Sequence, residues 1–226
     1  MRSLFEFLTT SENWSGTNGI AVRLGVHLWV SFLALGASAL VSIPAGIAFG
    51  HAQRGQVVAT GVANIGRAIP SLAVLAFVVA AGGGIGFFPT FVAMFALAVP
   101  PLFVSASTAV SELDPAVLEV GRGLGMRQHQ LVRRVEVPLA TPLILSGARI
   151  ATSQVIATAT LGAFVGYNTL GRFITVGRAN RDDAMLYGGV VLVVTLALIA
   201  ELGFWALQRA LTPWNRRRES NATASS

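Results

Sequence analysis

The side chains that ordinarily perform chemistry are sparse in this sequence, and their spacing excludes most reactions. His27, His51 and His129 lie far apart, with no acidic or sulfur partner at ligand spacing, so no metal site is expected. Cysteine is absent, which removes disulfides, thiolate ligands and a thiol nucleophile. All 16 basic side chains are arginines. Without lysine there is no Schiff-base amine and no P-loop lysine for a nucleotide's phosphates. No carboxylate pair or Ser–His–Asp set falls together on one side of the apolar segments. The chain is therefore expected to be no enzyme and to bind no cofactor itself.

Two groups of residues remain. The first is a polar stretch over residues 111–137. Asp114 can cap free N–H groups there, and Pro115 suits the first position of a helix. A short helix over 115–122 is expected to end at Gly121, Gly123 and Gly125. A second, over 127–137, is expected to stop at Pro138. The second group stands inside apolar runs: Arg67, Pro70, Pro100 and Pro101. An arginine in hydrocarbon is costly unless it faces protein or water or snorkels. Prolines free backbone carbonyls that can line a path, though spans also tolerate them without such a role. Arg149 is read as reaching the interface, and Glu201 as the partner of an arginine on a neighbouring helix or subunit. Gly36, Gly46, Gly147 and Gly162 are read as sites of close helix packing.

The elements that must position these residues follow from composition. Of 226 residues, 54% are hydrophobic and only 12% charged, against about 25% in soluble domains. The solvent is therefore a bilayer, and an all-α membrane protein is expected. A span needs about 20 apolar residues. Five runs qualify, over 28–49, 57–81 with Arg67 inside, 88–110, 139–164 and 185–208. A glycine-rich turn over 82–86 separates the second from the third, and a polar loop with Arg172, Arg178, Arg181, Asp182 and Asp183 precedes the last. Five spans put the termini on opposite sides. Arg209, Arg216, Arg217 and Arg218 place the C-terminus in the cytoplasm, the N-terminus outside and residues 111–137 in the cytoplasm. Residues 1–26 form an extracytoplasmic segment without the features of a cleavable signal. Residues 27–210 form the membrane domain, and 211–226 a polar tail expected to be disordered. The net charge of +6 reflects this sidedness rather than nucleic-acid binding.

The polar stretch also carries a pattern. Glu119-Val120-Gly121 is followed after three residues by Gly125, and after nine more by Val135-Glu136-Val137-Pro138. This resembles the signature loop of importer permeases in the ATP-binding-cassette superfamily: Glu-Ala-Ala, three residues, Gly, nine residues, Ile-x-Leu-Pro. Ala68-Ile69-Pro70-Ser71-Leu72-Ala73, Leu113-Asp114-Pro115-Ala116, residues 157–163 and Leu170-Gly171 look like stretches of the osmoprotectant permeases. Asn168-Thr169 departs from the Gly-Gly often found there. The resemblance implies the five-span type I importer fold in a bacterial plasma membrane. It implies a coupling loop docking on an ATPase through Asp114, Pro115, Glu119, Val120, Gly121, Gly125, Val135 and Pro138. It further implies two ATPase subunits that use ATP and Mg, a second permease subunit, identical or not, and an extracytoplasmic solute-binding protein. The solutes of that family include glycine betaine, choline, carnitine and proline betaine. Rival readings are a permease for an amino acid or organosulfonate, and a stand-alone channel or membrane enzyme.

Overall fold

The structure is a computed structural model that describes residues 3–211. The expected tail over 212–226, with Arg216, Arg217 and Arg218, lies outside the described residues.

Every regular element among those residues is helical. In chain order they are α1 (Leu4–Thr9), α2 (Ser11–Trp14), α3 (Ile20–His51), α4 (Gly55–Ala68), α5 (Ser71–Ala80) and α6 (Phe87–Ser111). Then follow α7 (Pro115–Gly123), α8 (Gln128–Leu131), α9 (Val137–Leu161), α10 (Gly171–Asn180) and α11 (Asp183–Leu211). Hydrocarbon offers backbone groups no water, and a helix satisfies them within itself. Four helical rods are long and apolar enough to cross a bilayer: α3, α6, Gln128–Val165 and α11.

The second span differs from expectation. The run over 57–81 is not one helix but two, α4 and α5, bent by 76° at Ile69-Pro70. Pro70 has no N–H to give, and the residue before a proline avoids the helical region. Ile69 accordingly sits at ψ 112°. Pro100 and Pro101, by contrast, stay inside α6.

Pro138 does not stop its helix either. α8 runs without interruption into α9 through a widened turn, Val132–Glu136, closed by the Val137 N–H donating to the Val132 carbonyl five residues back. Pro138 falls in the turn that follows, where its missing donor does no harm. The polar loop before the last span is also largely helical, as α10. Arg23 of α3 lies over the Phe173 ring of α10 at 4.2 Å, and Phe7 of α1 meets the same ring edge-on.

α6 is the centre of the bundle, with α3 and α9 on two sides. Val30, Ala34, Met94, Ala98, Leu102, Ala151, Val155 and Ala159 form its core. Lipid tails are as apolar as leucine, so such helices associate through close packing rather than hydrophobic exclusion. Gly46 and Gly50, one turn apart, let α3 press on α6. A Cβ at Gly46 would lie 2.7 Å from the Phe103 carbonyl oxygen, and one at Gly50 2.6 Å from that of Ser107. Gly147 similarly admits Ser105, and Gly162 admits Thr90. Gly36 does not share this role: nothing lies near it.

These contacts fix an expected outcome. Gly46→Ala should destabilise the chain by about 1–3 kcal/mol, the usual cost of overpacking. Gly36→Ala should leave stability unchanged or slightly raised. Thermal unfolding in detergent, followed by circular dichroism, checks both.

Candidate coupling surface and translocation path

α7 is built by its caps. The Asp114 carboxylate accepts the Ala116 N–H at 2.9 Å, and Pro115 opens the helix. At the other end Gly125 N–H donates to the Arg122 carbonyl and Met126 N–H to that of Gly121, while Gly125 takes φ +78°. This is the left-handed closure for which glycine alone has no steric penalty. Gly121 was expected to help end the helix and face a partner, but it does neither. It is buried within α7, and a Cβ there would lie 2.7 Å from a methyl of Leu131. It clamps α7 to the base of the next rod.

What α7 leaves in the open is an apolar stripe. Val117, Val120 and Leu124, spaced three and four apart, are exposed, Leu124 by 76%. Glu119 and Arg122 flank them, also exposed. An apolar stripe with a charged rim, on a helix held away from the bundle, suits docking to another protein. Val135 is half-buried in the widened turn, and Pro138 is exposed.

The residue that spacing could not reveal is Glu136, which occupies the free position of the Val135-Glu136-Val137-Pro138 pattern. It is 1% exposed, and its two carboxylate oxygens lie 2.8 and 3.0 Å from His51 Nδ1. No acidic residue stands at ligand spacing from His51 in the sequence. Glu136 reaches it from 85 residues away, and His51 is the last residue of α3. The widened turn is thus tied to the end of the first span.

The path candidates only partly converge. Arg67, Pro100 and Pro101 share a cavity of about 390 Å³ with Ser105, Thr108 and Gln154. Pro70 is not among its walls; it stands at the break between α4 and α5. Ser146, Ile150 and Gln154 also line a second cavity of about 500 Å³, bounded by Arg149, Ser153 and Glu201. Arg149 does not reach out to an interface. Its Nε donates to Glu201 Oε1 at 2.6 Å, across from α9 to α11. Nearby, Gln208 donates to the Pro142 carbonyl and to Ser146 Oγ. Elsewhere the surface is apolar, with Phe32 and Leu40 of α3 more than two-thirds exposed. Lipid can cover that side. It cannot solvate the polar one. In the turn after α9, burial pushes the Tyr167 phenol up, so this ring packs against Phe87 as a neutral group.

A helical bundle with a broken span, a protruding capped helix and a polar cavity on one side defines the permease class of type I importers. The fold matches solved members: the inward-facing MetNI methionine ABC transporter at TM-score 0.74, with 22% identity over 85% of this chain and 96% of that one. An amino acid ABC transporter crystallised with histidines matches at TM-score 0.66, with 17% identity over 96% and 99%. The family described as the binding-protein-dependent transport system inner membrane component matches residues 42–217, and this chain belongs to it. The glycine betaine/carnitine/choline transport system permease protein OpuCB of Bacillus subtilis is 35% identical over 87% of this chain and 91% of its own. The choline transport system permease protein OpuBB of the same organism is 34% identical over 89% and 94%. The osmoprotectant import permease protein OsmW of Salmonella typhimurium is 31% identical over 83% and 89%. The chain is a multi-pass transport subunit of a bacterial plasma membrane, and its relatives are transport permeases rather than enzymes.

Removing the one side chain that bonds a buried carboxyl group leaves that group without a partner. His51→Ala should therefore cost about 2–3 kcal/mol, below the range for a fully buried pair because His51 keeps a quarter of its surface. Glu136→Gln in the same chain should recover part of that loss, since an amide tolerates burial better than a carboxylate. Unfolding midpoints of the single and double variants measure it.

Proposed function

We propose that this chain forms half of the translocation path of an osmoprotectant importer, for a quaternary ammonium solute such as glycine betaine, choline, carnitine or proline betaine. The observation that carries the reading is the 31–35% identity, along nearly whole chains, to permeases named for such solutes. In this reading residues 111–137 and the C-terminus are cytoplasmic and residues 1–26 lie outside. A second permease subunit closes the polar side. Two ATPase subunits, which use ATP and Mg, grip α7 of each permease, and an extracytoplasmic binding protein delivers the solute. Selection for the cation rests largely with that protein, where an aromatic cage would suit it.

The mechanism follows from the contacts. ATP-driven closure of the ATPase pair displaces the exposed stripe of α7. Gly121 against Leu131 passes that displacement to the rod beginning at α8, and α9 carries it to the cavity wall at Ser146, Gly147 and Gln154. The Glu136–His51 tie brings the end of α3 along. The broken span α4–α5 lets Arg67 and its cavity wall shift without moving the far half.

Reconstitution with the cognate ATPase and binding protein tests the assignment. ATP-dependent uptake of labelled glycine betaine or choline is expected. Flux without ATP, or uptake confined to amino acids or organosulfonates, would overturn it. Gly125→Val forces a branched side chain into a left-handed turn, and Glu119→Arg reverses a rim charge. Each should cut uptake at least tenfold while ATP hydrolysis continues, with insertion into the membrane unchanged. Simultaneous assays of phosphate release and solute accumulation read the uncoupling.

A further inference from the structure

Arg149 and Glu201 are opposite charges set deep in their helices, Arg149 within α9 and Glu201 within α11. Their side chains keep 35% and 37% of their surface. A pair serving only to tie two helices inside a membrane is expected to be covered, because exposed charge in hydrocarbon is costly. In the single chain this pair is open, and it borders the 500 Å³ cavity, which Ser146, Ser153, Gln154 and the apolar Ile150 also line. The tie between α9 and α11 does not depend on it alone, since Gln208 bonds Pro142 and Ser146 further along the same two helices. Ser146, Ile150 and Gln154 line both this space and the one holding Arg67.

We infer that Arg149 and Glu201 form a transit site inside the permease for a small zwitterion, the guanidinium taking its carboxylate and the carboxylate its ammonium group. This rests on the osmoprotectant reading and deepens it. A guanidinium fork matches a carboxylate through two parallel bonds. A fixed carboxylate attracts a quaternary ammonium, which has no proton to donate. Entry of the solute exchanges one ion pair for two, so no charge is left unpaired at any stage. The exchange is nearly balanced, so the solute is held weakly. A conducting site needs that property, since what enters must also leave.

The test uses the full importer in proteoliposomes with saturating binding protein, comparing glycine betaine, which carries a carboxylate, with choline, which does not. Arg149→Gln should lower glycine betaine uptake at least tenfold and choline uptake less than twofold. Because both solutes cross the same variant, this ratio is insensitive to losses in folding. The charge exchange Arg149→Glu with Glu201→Arg keeps a pair between the helices and should still impair uptake of glycine betaine. An unchanged ratio in Arg149→Gln, or near-normal uptake in the exchanged variant, would show a structural tie only and overturn the inference. If the wild-type importer carries neither solute, the osmoprotectant assignment falls instead. The ratio is then read on a zwitterion and a cation that it does carry, and still decides the role of Arg149.

Discussion

The bilayer's refusal of unpaired polar groups is the constraint from which the architecture follows. Among the described residues it makes every regular element a helix, and it sorts the surface into apolar and polar patches. α3 turns Phe32 and Leu40 outward because lipid accepts them. Arg67, Ser146, Gln154, Arg149 and Glu201 gather on another side because lipid does not. The same constraint makes glycines the means of association. Helices that gain nothing by hiding leucine from leucine gain by approach, and Gly46, Gly50, Gly147 and Gly162 permit it.

A second theme is the economy with which α7 is joined to the bundle. Its outer stripe is free for a partner. Its inner contact is Gly121 against Leu131, which lies at the head of one continuous rod reaching past the cavity. The widened turn in that rod does two things. It lets the helix pass Pro138, and it carries Glu136, which is buried onto His51. α7 is thereby fixed to α3 and to the Gln128–Val165 rod together.

Much of this was legible in the chain itself. The apolar runs gave the spans, Asp114-Pro115 gave the start of α7, and the glycine at 125 sits in the turn its spacing implied. What escaped had physical causes. Proline rules predict a stop at Pro138 and a kink at Pro70, but a local change of helix pitch absorbs the first, and a full break of 76° replaces the second. Arg149 with Glu201, and His51 with Glu136, are 52 and 85 residues apart, so only packing brings them together. Gly36 and Gly46 look alike in sequence, yet one meets empty space and the other a carbonyl. The turn-rich stretch before α11 read as loop because its arginines mask the helix that Leu170 and Phe173 anchor.

The 32 residues of α3 have a geometric consequence. At 1.5 Å per residue they extend about 48 Å, well beyond the roughly 30 Å of a hydrocarbon layer. One end is clasped by an aromatic ring through Arg23, the other by a carboxylate through His51. If α3 tilts as one piece across its internal Pro44, it acts as a seesaw between these two ties. A tilt of about 10° around its middle swings each tip by about 4 Å, in opposite senses. Events on one membrane face would thus be reported at the other by one piece of chain, with no intermediate to relay them.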